Sequence, residues 1–307
     1  MNRLPKVEDM KITHKTTIDG LIEGYKKSGG FVAKKVATAV DILNDMFSQN
    51  CVRIISFPAC IISTGTRGLI RDVIKKGLFD LVITTCGFLD HDFARIWKHY
   101  YHGSFDVNDK ELHKKGINRL GNIFIPNESY GEIIENKLQP ILKDIYESGK
   151  KDLSTYEFVW EVGKRVKSKD SIIYWLWKKR IPTIIPGITD GAFGTQIFMF
   201  IQEHSDFRID IFKDEELLSE KLFSDVESGA LMIGGGISKH HTIWWNQFKG
   251  GLDYAVYITT APEWDGSLSG ARMKEAVSWG KVKEKARFVT VEGDATVLLP
   301  LILGKFL

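Results

Sequence analysis

Cysteine is scarce in this 307-residue chain: Cys51, Cys60 and Cys86 are the three, with no short repeated spacing. That excludes a disulfide framework and a structural zinc module built on paired Cys-x-x-Cys. Excess charge of either sign is lacking too, with 42 Lys and Arg against 39 Asp and Glu. Nothing electrostatic therefore points to nucleic acid or an anionic membrane as the main partner. No apolar run approaches the length needed to cross a bilayer. The first fifteen residues, MNRLPKVEDMKITHK, are polar and lack the apolar stretch of a signal peptide. The chain reads as soluble and cytoplasmic. Also missing is the Gly-x-Gly-x-x-Gly fingerprint of common dinucleotide folds. Gly234-Gly235-Gly236 follows an expected strand but lacks the third glycine at that spacing, so any such site is of a variant kind.

What is present is an apolar fraction of 43%, enough for a sizeable core. Over the first fifty residues the pattern is helical: Val32, Val36, Val40, Leu43 and Phe47 recur at spacings of three and four. After them, short apolar runs alternate with helical stretches. The runs are Val52–Phe57, Leu81–Thr85, Asn122–Ile125, Ile181–Ile185, Ala230–Ile233, Ala255–Ile258 and Phe288–Val291. One helix follows Gly65, and another starts at a capping box, Ser154 with Glu157 three residues on. Between Asn127 and Asp170 the pattern predicts helices packed at one side, without a strand. Strands without polar alternation belong to a parallel sheet covered on both faces. The expected fold is α/β: a Rossmann-like, doubly wound, mostly parallel sheet with extra helices at the N-terminus and in the middle. The expected organisation is a helical segment, 1–50, ahead of one Rossmann-like domain, 51–307.

Ligands of such sheets bind at the carboxyl ends of the strands. Here those ends read Phe57-Pro-Ala-Cys60, Thr84-Thr-Cys-Gly87, Pro186-Gly-Ile-Thr-Asp-Gly191, Gly234-Gly-Gly236, Thr259-Thr-Ala261 and Glu292-Gly-Asp-Ala295. Small residues let a flat or phosphorylated ligand approach the backbone, and Thr and Asp supply hydrogen bonds to ribose or amide groups. Any one such end reads equally well as a tight turn. Six in one sheet point to a shared nucleotide site.

The densest chemistry runs from Glu263 to Lys281. A lysine forms a Schiff base only when neutral, which calls for desolvation or nearby cations. Trp279 would desolvate Lys281, and Glu275, Asp265 and Asp90 are carboxylates suited to the ammonium groups of a polyamine. The competing reading makes Lys281 a surface lysine that opens a strand and Trp279 a core residue, and spacing alone leaves both standing. His240 and His241 likewise read either as functional or as helix-start histidines satisfied by the backbone. Trp244-Trp245 reads as packing or interface.

At this point the residues resemble a known family. Thr189-Asp190-Gly191, Gly234-Gly-Gly-Ile-Ser-Lys-His240-His241, Asp253-Tyr-Ala-Val-Tyr-Ile, Asp265-Gly-Ser267, Ser269-Gly-Ala271 and Glu275-Ala-Val-Ser-Trp-Gly-Lys281 look like the deoxyhypusine synthases, in an archaeal-type version. Gly116-Ile-Asn-Arg-Leu-Gly-Asn122, Ile125-Pro-Asn127 and Ser63 with Gly65 and Arg67 match as well.

The resemblance implies a homotetramer of Rossmann-like subunits, with 51–307 as the NAD-binding catalytic domain. The implied reaction uses NAD to oxidise spermidine and passes its aminobutyl group through a lysine imine to a lysine of the initiation factor 5A precursor. Lys281 falls on the imine-forming position and His240 on the pocket histidine. Asp90, Gly266, Ser267, Glu275 and Trp279 fall to the substrate. Ser63, Thr85, Gly87, Asp190, Gly235, Thr260, Ala261, Asp294 and Ala295 fall to NAD. No metal is implied. Departures from the family pattern are Cys60, Cys86, Phe88, His91, Thr195, Trp244 and Leu268. Several replace carboxylates or amides, which leaves fewer partners for polyamine nitrogens. The runner-up is a homospermidine synthase-like transfer to a small amine. From a different class, the alternative is a nucleotide-binding regulator without catalysis.

Overall fold

The structure, a computed structural model, describes residues 4–307. It divides into two compact units. The first joins the described part of Met1–Ser56 to Leu222–Leu307, and the second is Phe57–Lys221.

The chain opens in the first unit with α1 (Ile18–Ser28), α2 (Phe31–Ser48) and β1 (Cys51–Phe57). In the second unit come α3 (Thr66–Lys76), β2 (Leu81–Thr84), α4 (Cys86–Trp97), β3 (Tyr101–His102) and α5 (Asp109–Lys114). A hairpin of β4 (Ile117–Leu120) and β5 (Ile123–Pro126) follows, then α6 (Gly131–Glu147) and β6 (Asp152–Leu153). Next are α7 (Thr155–Val166), α8 (Ile172–Lys179), β7 (Thr183–Ile184), α9 (Ala192–Glu203), β8 (Arg208–Ile209) and α10 (Phe212–Leu222). The chain returns to the first unit as β9 (Glu227–Ile233), α11 (Gly236–Gln247) and β10 (Leu252–Thr259). It ends with α12 (Met273–Ser278), β11 (Val282–Glu292) and α13 (Ala295–Leu303).

In the first unit the strands lie side by side as β11-β10-β9-β1, all parallel. Register sets Ile54 opposite Ala230, Ala230 opposite Ala255, and Ala255 opposite Phe288. Ile54, Ile55, Leu231, Met232, Val256 and Tyr257 are all fully buried, so successive side chains on both faces are covered, as the unbroken apolar runs require. The expected stripe on α2 is buried at Val36, Val40 and Leu43.

The second unit carries a parallel pair, β2 with β7, aligned at Val82–Thr183 and Ile83–Ile184. The capping box is formed: the Ser154 hydroxyl accepts from the Glu157 N–H at 3.1 Å, and the Glu157 carboxylate accepts from the Ser154 N–H at 2.9 Å.

The α/β expectation, with parallel strands and added helices at the N-terminus and in the middle, is borne out. Three details differ. The 122–125 run belongs to a separate antiparallel sheet, β3-β5-β4, because Gly121 at φ 60 and Asn122 turn the chain between the paired residues Leu120 and Ile123. A two-residue strand, β6, pairs with β8 inside the stretch expected to hold helices alone. The N-terminal helical pattern starts only at Ile18.

Candidate active site

In the first unit, parallel neighbours bring three strand ends to one edge. The Gly234 N–H donates to the Ile258 carbonyl at 2.8 Å, and the Gly293 N–H to the Thr259 carbonyl at 2.9 Å. Gly235, Thr260, Ala261, Asp294 and Ala295 therefore lie along adjoining turns. A Cβ on Gly235 would stand 2.1 Å from the Ser269 hydroxyl, so only glycine fits there. No side chain caps the start of α11 at Gly235, whereas Asp294 caps α13 through the Thr296 N–H at 2.6 Å.

Lys281 sits where α12 ends. The Gly280 N–H donates to the Val277 carbonyl and the Lys281 N–H to the Ala276 carbonyl, both at 3.0 Å, with Gly280 at φ 66. These two bonds define a Schellman ending, with glycine at the left-handed position and Lys281 just after it. The Lys281 carbonyl then accepts from the Leu252 N–H at 3.1 Å, which anchors the lysine beside β10 as β11 begins. The residue is 7% exposed, which overturns the reading of a surface lysine. Its Nζ stands 5.1 Å from the Trp279 ring centroid and 5.7 Å from that of Trp244.

Around it lies a cleft of about 350 Å³ that also takes in His240, Gly266, Ser267, Glu275 and Trp279. All six first-unit residues expected at the catalytic and donor site are thus brought together. The His240 ring stacks on Trp244 at 5.7 Å between centroids. Burial, and secondly the Lys281 ammonium, hold the His240 imidazole below its ordinary pKa. Sequence reasoning passed over two lining residues. Trp244, which reads from the sequence as packing or interface, lines the cleft. Lys239 is fully buried, its Nζ donating to the carbonyls of Leu268 at 2.8 Å and Ala271 at 2.7 Å. Burial pulls its pKa down to about 7, with Glu275 opposing.

The second unit holds Ser63, Thr85, Gly87, Asp190 and Asp90. Ser63 is buried and its hydroxyl donates to the Cys60 carbonyl at 2.7 Å. Thr85 begins α4 without a side-chain cap, Gly87 lies against Ala59, and Asp190 is exposed. Asp90 is fully buried. One of its oxygens accepts from the Phe193 N–H at 2.8 Å, and the other from the Ala192 N–H at 3.0 Å and the Tyr130 hydroxyl at 2.6 Å. A Cβ on Gly191 would press on the Asp90 carboxylate and the Cys86 sulfur, each at 2.8 Å. Burial raises the Asp90 pKa while these three donors oppose it. Asp92 is engaged by Arg67 at 2.7 Å and by the Ser171 hydroxyl at 2.7 Å. His91 Nδ1 lies 2.9 Å from the Tyr100 hydroxyl.

A family model described as deoxyhypusine synthase matches residues 20–306. The chain belongs to the deoxyhypusine synthase family. It is 55% identical over 301 residues to a protein of Picrophilus torridus named "Probable deoxyhypusine synthase", covering 98% of this chain and 96% of that one. A relative of the same name from Thermoplasma acidophilum is 53% identical, covering 98% and 97%. Among solved structures, a chain assigned as deoxyhypusine synthase from Entamoeba histolytica superposes with a TM-score of 0.65 at 21% identity. That match covers 95% of this chain and 93% of the other, and it speaks for the fold. Membership in the deoxyhypusine synthase family makes the chain an enzyme, a transferase of an aminobutyl group. Among the described residues no helix is long and apolar enough to cross a membrane.

Proposed function

We propose that this chain uses NAD to transfer the aminobutyl group of spermidine, through an imine on Lys281, to a lysine of the initiation factor 5A precursor, as a cytoplasmic homotetramer. The observation that carries the reading is the lysine itself. Lys281 is buried at a helix ending, faced by two indole rings, and shares its cleft with a single carboxylate among the described residues, Glu275.

The roles follow from that arrangement. Trp244 and Trp279 flank the Lys281 amine, which attacks the oxidised donor carbon and displaces the diaminopropane part of spermidine. Glu275 takes a donor ammonium, with Gly266 and Ser267 shaping the wall beside it. His240, beside the lysine and held largely neutral, is placed to accept a proton as the imine forms. Asp90, with three donors already on its carboxylate, enters this reading as the anchor of the Asp190–Gly191 turn rather than as a polyamine ligand.

The first unit suits NAD by the uncapped start of α11, which leaves first-turn N–H groups for phosphate oxygens. Thr260, Ala261, Asp294 and Ala295 are its other proposed contacts there; Ser63, Thr85, Gly87 and Asp190 are those of the second unit. The chemistry NAD supplies when bound is acceptance and return of a hydride.

The test is incubation with NAD, labelled spermidine and factor 5A precursor, with Lys281→Arg alongside. Label should reach the factor only with the unaltered protein, and borohydride should trap a donor-derived adduct on Lys281. Label on a small amine alone would favour the homospermidine-type reaction, and no label on any acceptor would remove the catalytic reading.

A further inference from the structure

Lys239 belongs to the motif Gly234-Gly-Gly-Ile-Ser-Lys239-His240, yet the proposed chemistry gives it no part. Its position on α11 is unusual for a lysine: fully buried, with no carboxylate hydrogen-bonded to its Nζ among the described residues. Burying an ammonium without a paired anion is costly unless neutral acceptors take its protons. Three do. The carbonyls of Leu268 and Ala271 accept at 2.8 and 2.7 Å, and the face of Tyr257 lies 3.7 Å away. Three N–H groups meet three acceptors.

The two carbonyls belong to one loop, between β10 and α12, while Tyr257 lies on β10 itself. Four successive carbonyls of that loop accept from side chains of the first unit. Leu268 and Ala271 take Lys239; Ser269 takes the Tyr257 and Thr259 hydroxyls at 2.7 and 2.9 Å; Gly270 takes Arg272 at 3.1 Å. Lys239 alone spans the set, holding its first and last members. The same loop carries Gly266 and Ser267, and it leads within a few residues into the helix that bears Glu275 and ends at Lys281. Ser269 of this loop also packs against Gly235, where a Cβ would stand 2.1 Å from its hydroxyl.

We infer that Lys239 is a positioning residue for aminobutyl transfer, a buried clamp that holds the 266–272 main chain so that the donor-binding wall stands opposite Lys281. The inference rests on the reading of Lys281 as the imine-forming residue, but the clamp has a readout independent of activity.

The test compares the unaltered protein with Lys239→Met, which keeps the stem and removes the donors, and Lys239→Arg, which keeps donors and charge. Two lost hydrogen bonds to buried carbonyls predict a rise of about tenfold in KM for the donor polyamine in Lys239→Met, with NAD affinity changed less than about threefold. Partial recovery is expected in Lys239→Arg. Hydrogen exchange across 262–275 should quicken in Lys239→Met while that of β9 and β10 stays as it was. Quicker loop exchange in a protein that turns out inactive even when unaltered would keep the clamp and remove the proposed activity. Unchanged loop exchange, or equal loss of donor and NAD affinity, would overturn the clamp. Should Lys239→Met fail to fold, the same comparison is made on Lys239→Gln, which is shorter and uncharged, where loop exchange equal to the unaltered protein with donor KM unchanged counts against the clamp.

Discussion

The main-chain N–H of Lys281 donates to the carbonyl of Ala276 at 3.0 Å, the outer bond of the turn that ends α12. That bond, with the one from Gly280 to Val277, fixes where the main chain of Lys281 leaves the helix end and so sets the direction from which its side chain starts.

Gly280 is therefore the residue to change. At φ 66 an alanine there is strained, by about 1–2 kcal/mol. Gly280→Ala should lower thermal stability by that amount and also slow borohydride trapping on Lys281, since the lysine shifts with the turn. Lys281→Arg should do the reverse, leaving the melting temperature close to its starting value and abolishing trapping. Calorimetry and trapping on the same samples check both.

Asp90 gives a contrasting case. Its carboxylate accepts two main-chain N–H groups at the start of α9 and the Tyr130 hydroxyl. Asp90→Asn keeps only one acceptor oxygen and leaves a buried donor without a partner, a cost of about 1–3 kcal/mol. Stability should fall while KM for the donor stays within about twofold. A tenfold rise in KM at constant stability would assign the carboxylate to the donor instead.

Protonation at His91 sets an acid limit. Burial, and then the Arg95 charge, lower its pKa from an ordinary 6.5 to about 4. Between those values the unfolded chain binds the proton and the folded one does not, so stability present above pH 6.5 is lost as pH falls toward 4. A group that titrates at about 4 in place of 6.5 contributes on the order of 3 kcal/mol. His91→Asn should flatten that loss. His241 is lowered in the same direction, also to about 4, so part of the slope should survive the substitution. Urea midpoints at pH 7 and pH 4.5 for both proteins measure the difference.

How much of this was legible in the sequence depends on the range of the forces involved. Local signals carried far: the α2 stripe, the Ser154–Glu157 cap and the parallel strands at both ends of the chain all stand where periodicity put them. The Leu120-Gly121-Asn122-Ile123 turn was equally local and was missed, because the following run was read as one more parallel strand; a glycine-first, two-residue connection was the signal for a hairpin. The two-residue strands β6 and β8 are too short for any period to mark them. At the site, spacing left Lys281 open between a buried nucleophile and a surface lysine that opens a strand, because its burial depends on packing that spacing does not encode. Lys239 was the least readable, since its acceptors lie 29 and 32 residues further on. Trp244 looked like packing because a tryptophan in a helix usually is.

Glu275 carries the final prediction. It is the one carboxylate lining the Lys281 cleft among the described residues, in company with Lys239, Arg272 and Lys281. A donor with several ammonium groups would otherwise enter a wall of like charge. Glu275→Gln keeps the shape and removes the anion, and a charge-assisted contact of roughly 1.5–3 kcal/mol predicts a KM for spermidine raised by about ten- to a hundredfold. Because Glu275 is exposed, salt should screen the contact, so the unaltered protein should lose donor affinity between low and high ionic strength and the variant should lose less. Steady-state kinetics at two salt concentrations measure both quantities at once. Equal salt dependence in the two proteins would mean that the donor's charge is met by some other group.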